Sequence, residues 1–146
     1  VQTCALPILE KQKKQQQLDN FKKFIDPADL KKMKDIKLEV SYDYRESDED
    51  EYAHWINATL SVQFTFKGKE EHLTIKYSDE KGYHTNDRYT PTITRSKLTG
   101  SPLAMKILFK NLDFEHCSLG EFIRYKRERH PYDWFKIRDM IGEING

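Results

Sequence analysis

The feature that most constrains the fold is an alternating stretch that begins at His54. Apolar side chains occupy every second position with polar ones between them, and the apolar set is Ile56, Ala58, Leu60, Val62, Phe64 and Phe66. A period of two is typical of a β-strand with one buried face. After Lys67-Gly68-Lys69 the alternation resumes at Leu73, Ile75 and Tyr77. The stretch therefore predicts a β-hairpin at the centre of an antiparallel sheet.

Two weaker alternating stretches lie on either side of this hairpin. One runs from Ile36 to Tyr44, and the other runs from Tyr89 to Arg95 around Pro91. Because proline has no N–H to donate to a ladder, the last strand is expected at a sheet edge. The sequence thus predicts an antiparallel sheet of three to four strands at about 36–44, 54–66, 70–78 and 88–95.

Helical spacing of apolar residues marks the N-terminal side of this sheet. The residues Leu18, Phe21 and Ile25 form one stripe. Asp26 followed by Pro27 is typical of a helix start, and we expect a second short helix that runs to about residue 35, with Leu30 and Met33 inward.

Three more helices are expected on the C-terminal side. Ser101-Pro102 predicts the first, although Met105, Ile107 and Phe109 could equally line a strand. Ser118 and Glu121 have the spacing of a capping box, which predicts the second. The third begins at Pro131, and its apolar positions are Trp134, Ile137, Met140, Ile141 and Ile144.

This order of elements predicts an α+β domain, in which N-terminal and C-terminal helices cover one face of the sheet. The other face, with Thr59, Ser61, Gln63 and Thr65, is left for solvent or a partner. We expect a single domain over residues 18–146, preceded by a disordered or partly helical tail over residues 1–17. Residues 1–8 resemble the translation of a sequencing adapter found in poorly trimmed metagenomic reads, which implies that they, Cys4 included, are not natural.

Composition narrows the classes of function. The 146 residues carry a net charge of +1, so any attraction for nucleic acid or an anionic membrane must come from a local patch. No apolar run approaches the roughly 18 residues that span a bilayer. Two cysteines make a disulfide framework improbable and favour a reducing, cytoplasmic setting. Scattered histidines and the lack of glycine-rich phosphate loops lead us to expect neither a metal nor a cofactor.

The strongest functional candidate is an acidic segment between the first two strands. Residues 39–51 contain seven acidic side chains and one basic one. Concentrated negative charge beside aromatic side chains can dock on a basic surface, even one that normally holds nucleic acid. We expect a small non-catalytic binding protein whose partner is a protein with a basic surface. The expected partner-binding residues are Asp48, Glu49, Asp50, Glu51, Tyr52 and Trp55.

Two other hypotheses remain. Basic side chains interleaved with aromatic ones are suited to phosphate contacts and base stacking, and the residues concerned are Arg124, Lys126, Arg127 and Arg129. An enzyme is the second hypothesis, with His84 as a base oriented by Asp87 and with Arg88 binding an anion. The spacing of these three matches no established motif, and Cys117 is expected to pack rather than to act as a nucleophile. We therefore favour a non-catalytic role and keep an enzyme as the second alternative.

Overall fold

The structure is a computed structural model that describes residues 2–46, 54–81, 93–124 and 131–146. Its elements, in chain order, are α1 (Gln2–Lys23), α2 (Pro27–Leu30), β1 (Met33–Glu46), β2 (His54–Phe66), β3 (Lys69–Lys81), β4 (Ile93–Gly100), α3 (Pro102–Phe109), α4 (Leu119–Arg124) and α5 (Pro131–Asn145). The strands form one antiparallel sheet in the order β1-β2-β3-β4. The predicted α+β fold is confirmed.

The predicted hairpin is present, and a tight turn closes it. Phe66 pairs with Lys69, so only two residues connect β2 to β3. Both have positive φ angles, 51° for Lys67 and 80° for Gly68. This combination defines a type I′ turn, whose twist matches that of the two strands. The turn sets the register of the whole hairpin, which continues to His54 and Lys81.

The second helix ends and the first strand begins earlier in the chain than expected. Asp26 caps α2, since its Oδ1 accepts the Ala28 N–H at 3.1 Å, but this helix ends at Leu30. The prediction that it runs to about residue 35 is wrong, because Met33 already belongs to β1. A bulge follows, where the register shifts between Lys34 and Lys37 and Asp35 adopts a φ of 54°. The extra residue interrupts the period of two, which hid the start of the strand.

One face of the sheet is covered by helices, with α5 and α1 packed against it. The fully buried positions of this inner face include Ala58, Leu60, Leu73 and Ile75. Ile137, Ile141 and Ile144 of α5 are equally buried, so the predicted apolar stripe of this helix does face the core. Two polar contacts join the terminal helices. Gln17 Nε2 donates to Asn145 Oδ1 at 3.3 Å, and Asn20 Nδ2 donates to the Ile144 carbonyl at 3.2 Å.

The edge strand β4 lies further along the chain than its expected span. It continues beyond Arg95 to Gly100, while Pro91 lies outside the described residues. Gly100 has a φ of 151°, and a Cβ there would come within 2.5 Å of the His72 carbonyl oxygen. The N–H of Ser101 donates to that carbonyl at 2.9 Å. Glycine thus allows the chain to leave the sheet in close contact with β3.

The helices after the sheet begin as the sequence indicates, with one difference. α3 is helical as preferred, but the Ser101 hydroxyl donates to the His72 carbonyl and makes no capping hydrogen bond. The capping box of α4 is confirmed. The Glu121 N–H donates to Ser118 Oγ at 3.3 Å, and the Ser118 N–H donates to Glu121 Oε2 at 3.2 Å.

Candidate functional site

The candidate site lies on the second face of the sheet, which we call the open face. Strand register assigns to it Lys37, Glu39, Ser41, Asp43 and Arg45 of β1, Trp55, Asn57, Thr59, Ser61, Gln63 and Thr65 of β2, Glu70, His72, Thr74, Lys76, Ser78 and Glu80 of β3, and Arg95, Lys97 and Thr99 of β4. All these side chains are exposed or partly exposed, so no described element covers them. The open face is therefore available to a partner.

The middle of the open face consists of short, neutral polar side chains. Ser41 Oγ and Thr59 Oγ1 lie 2.5 Å apart across β1 and β2, and Ser61 Oγ and Thr74 Oγ1 lie 3.5 Å apart across β2 and β3. Such cross-strand pairs provide hydrogen bonds for the hydroxyl groups, and the short side chains extend only a little above the sheet. The result is a low polar surface that offers hydrogen-bond donors and acceptors.

Positive charge is concentrated on the β3–β4 side of this face. Lys76 lies directly opposite Lys97, and Arg95 is two residues from Lys97 on the same strand, so that it shares their face. We call these three side chains the cation cluster. Together with Asn57, Thr59 and Ser78 they line a shallow depression of about 270 Å³. The depression thus combines fixed positive charge with neutral hydrogen-bonding groups.

A second depression continues the first toward the end of the sheet. It has a volume of about 240 Å³ and shares Asn57, Ser78 and Arg95 with the first. Its additional lining includes Trp55, whose Nε1 donates to Glu80 Oε1 at 3.2 Å across β2 and β3. This hydrogen bond fixes the orientation of the indole. A continuous strip therefore runs from the cation cluster to an aromatic ring.

Negative charge is concentrated at the end of the sheet where β1 ends and β2 begins. We call the side chains Asp43, Glu46 and Glu80, all exposed, the acidic end. Asp43 pairs with Arg45 at 3.2 Å, while Glu46 Oε1 accepts the Tyr44 hydroxyl at 2.5 Å. That hydrogen bond raises the pKa of Tyr44. The expected partner-binding residues from Asp48 to Tyr52 lie outside the described residues, whereas Trp55 is on the open face beside the acidic end.

The other predicted site residues are not brought together by the described structure. His84, Asp87 and Arg88 lie outside the described residues, as do Lys126, Arg127 and Arg129. Arg124 is exposed and is the last residue of α4 as described. Both alternatives therefore stay as hypotheses from the sequence.

A buried ionic group lies beneath the sheet, on the side of the helices. Asp79 is 4% exposed, and its Oδ2 lies 3.6 Å from Arg138 Nη1 and accepts the Tyr77 hydroxyl at 3.3 Å. Burial, followed by the charge of Asp79, raises the pKa of Tyr77. The Arg138 guanidinium also stacks 4.5 Å from the centre of the Phe135 ring. These contacts tie α5 to β3, which is a structural role.

The loop before α4 is held by a second buried carboxylate. Asp133 is fully buried, and its Oδ1 accepts the Glu115 N–H at 2.6 Å while its Oδ2 accepts the His116 N–H at 3.3 Å. The Cys117 thiol donates to the same Oδ2 at 3.4 Å. Burial, together with this hydrogen bond, raises the pKa of Cys117 to about 11. Since the thiolate is the nucleophilic form, Cys117 is poorly suited to catalysis.

The described residues contain neither a cluster of metal-ligating side chains nor a helix that could cross a membrane. No three His, Cys, Asp or Glu side chains among those residues are grouped so that they could hold a metal ion. None of the described helices has the length and apolar character needed to cross a bilayer.

The sequence reasoning missed the cation cluster, although a signal was present. Lys76 alternates with Ile75 and Tyr77, which are inward, and this places Lys76 on the open face. Arg95 and Lys97 have the same spacing of two, but the predicted strand stopped at Arg95. Continuing the alternation to Leu98 would have placed both cations on one face.

Comparison with protein-family models, curated proteins and solved structures finds no match for this chain. The function is therefore argued from geometry and charge.

Proposed function

We propose that this protein is a non-catalytic binding protein and that it engages a protein partner with a basic surface. The proposed contact region is the acidic end together with Trp55 and the acidic segment from Asp48 to Glu51, which follows Glu46 in the chain. The single observation that supports this region best is the pairing of Glu46 with His54. This register means that the chain leaves β1 and enters β2 at the acidic end.

Charge and an aromatic anchor favour a protein partner there. The segment from Asp48 to Glu51 adds four carboxylates to those of the acidic end. Complementary charge raises the association rate and favours a partner of opposite sign. Trp55 is only partly buried and adds apolar area, and tryptophan is among the residues that contribute most to interface energy.

The ionisable groups described above support a non-catalytic role. Asp79 and Asp133 are buried and hydrogen-bonded within the fold, and Cys117 has a raised pKa. A catalytic nucleophile or base needs the opposite arrangement, with an accessible group and a pKa matched to its task. The small number of cysteines supports a reducing, cytoplasmic setting as part of this proposal.

A defined basic probe tests the proposal. We expect the protein to bind a surface-immobilised lysine-rich peptide, with an affinity that falls as salt increases. A variant carrying Asp48→Ser, Glu49→Ser, Asp50→Ser and Glu51→Ser should bind at least about tenfold more weakly, because the attraction is lost. Biolayer interferometry measures both affinities.

The control variant removes the same charge elsewhere. Asp19→Ser, Glu70→Ser, Asp113→Ser and Glu143→Ser change four exposed carboxylates away from the acidic end and from residues 39–51. This variant should keep most of the affinity. Equal losses in the two variants, or no binding by the unchanged protein at low salt, would refute the proposed region.

A further inference from the structure

We infer that the strip from the cation cluster to Trp55 is a binding site for single-stranded nucleic acid. This goes beyond the proposed function, because it adds the cation cluster and concerns a ligand of opposite charge, while Trp55 belongs to both regions. The strip also differs from the basic residues that the sequence suggested for nucleic acid, which are Arg124, Lys126, Arg127 and Arg129, and it includes none of them.

The cation cluster has an energetic cost for the sheet. Lys76 and Lys97 are a directly opposite pair, and Cβ atoms in such pairs lie about 4.5–5.5 Å apart. Like charges in this position destabilise a sheet. Arg95 adds a third positive charge at a diagonal position. An anion bound between these side chains would remove the repulsion, so the site favours phosphate groups.

The cation cluster lacks counter-charges among the described residues, and one of its members lies on an interior strand. Among the described residues, no carboxylate forms an ion pair with Lys76, Arg95 or Lys97, whereas Lys110, Lys136 and Arg138 each form at least one. Charged side chains on an edge strand also discourage pairing with other chains. That role does not explain Lys76, which lies on β3, an interior strand.

The strip is low and extended. The depression at the cation cluster is shallow, and its neutral lining includes Asn57, Thr59 and Ser78. These groups can donate to phosphate oxygens and to base edges. A low, extended surface suits a single strand that lies along it, whereas reading a duplex requires an element that enters a groove.

Trp55 favours nucleic acid over other polyanions. The indole shares the second depression with Arg95, so a base stacked on Trp55 would have its phosphate within reach of the cation cluster. Base–aromatic stacking contributes to binding for every type of base. An acidic peptide would gain no comparable contact. Glu80 is paired with Trp55 across β2 and β3, and Asp43 is paired with Asn57 across β1 and β2, so carboxylates flank this end of the strip. Their repulsion limits the site to a short stretch of nucleotides.

Fluorescence anisotropy with a short labelled oligothymidylate tests the inference. The unchanged protein should bind it with an affinity that falls steeply with salt. The variant Lys76→Gln, Arg95→Gln, Lys97→Gln should bind at least about tenfold more weakly, and the slope of log affinity against log salt should fall by about two, since each phosphate contact contributes roughly 0.7. Trp55→Leu should weaken the binding of the oligothymidylate but not the binding of inorganic pyrophosphate.

A control variant carries the same change in charge at Lys23, Lys31 and Lys32, each to Gln, which are exposed and away from the open face. It should bind within about twofold of the unchanged protein. Because the three substitutions in the cation cluster are exposed, that variant should fold, and circular dichroism checks this. If it does not, Arg95→Gln alone should still lower both the affinity and the slope.

Three outcomes would overturn the inference. They are equal losses in the two triple variants, equal affinity for the oligothymidylate and its duplex, and tighter binding of an acidic peptide than of the oligothymidylate. The variant with Ser at Asp48, Glu49, Asp50 and Glu51 should bind the oligothymidylate at least as tightly as the unchanged protein, because it removes negative charge. A failure of the proposed function would therefore be distinguishable from a failure of this site.

Discussion

The two faces of the sheet are built from the same strands and differ in almost every physical respect. On the inner face, Leu60 and Ile75 are fully buried under helices. On the open face, their neighbours Ser61 and Lys76 are exposed. Burying a leucine contributes about 1.5–3 kcal/mol to folding, whereas a like-charge pair such as Lys76 and Lys97 opposes it. The inner face therefore stabilises the fold, and the open face carries the two proposed binding sites.

The largest effect is expected from Leu60→Ala on the inner face. It should lower the free energy of unfolding by about 2–5 kcal/mol, because it removes apolar burial and leaves a cavity. Urea unfolding measures the change. Ser61→Ala, one residue further on and on the open face, should change it by less than about 0.5 kcal/mol. Similar losses at both positions would break the distinction between the faces.

Asp133 is a buried polar residue, so its substitution tests whether the loss of stability depends on burial rather than on apolar character. Asp133→Ala should destabilise the protein by about 3 kcal/mol, since the N–H groups of Glu115 and His116 lose their acceptor. Glu143→Ala, an exposed carboxylate on the same helix, is the control and should have little effect. Thermal unfolding of both variants decides the matter, and an unchanged midpoint for Asp133→Ala would contradict the structural role of this carboxylate.

Gly100→Ala tests the point where the chain passes from β4 to α3. The positive φ and the close His72 carbonyl predict a loss of about 1–3 kcal/mol. Gly120→Ala in α4 meets only Ser118 Oγ at 4.0 Å, so it should be neutral or slightly stabilising. Chemical denaturation of the two variants should therefore give changes of different size, and equal changes would show that the backbone at Gly100 is not constrained.

The smallest effect is expected at the capping box. Ser118→Ala should lower the free energy of unfolding by about 1 kcal/mol, because the Glu121 N–H loses its acceptor. Ser96→Ala, at an exposed strand position, is the control. A difference of zero between the two in urea unfolding would mean that the capping box does not contribute.

Most of the inner face could be predicted from the sequence. The alternation from Ile56 to Phe66 and the spacing from Trp134 to Ile144 both follow from the geometry of strands and helices, so they identified the core. The bulge at Asp35 could not be predicted in the same way. A single extra residue leaves no compositional signal, and it shifts every side chain that precedes it to the other face.

The open face was harder to predict because polar positions carry no periodic signal of their own. Thr59 and Ser61 could be placed opposite the core, and the structure confirms this. The cation cluster combines Lys76 with Arg95 and Lys97, which are far apart in sequence and come together only through the pairing of β3 with β4. Register between strands depends on tertiary packing, and a sequence pattern does not specify it.

The most direct test compares the two tryptophan side chains by NMR during titration with oligothymidylate. Trp55 lies on the open face, whereas Trp134 is 4% exposed and packs against Phe122 in the core. The account predicts that the indole N–H signal of Trp55 and the Nε–H signal of Arg95 shift progressively while that of Trp134 stays in place. Equal shifts of both indoles, or a shift of Trp134 alone, would contradict the claim that the open face is the binding surface.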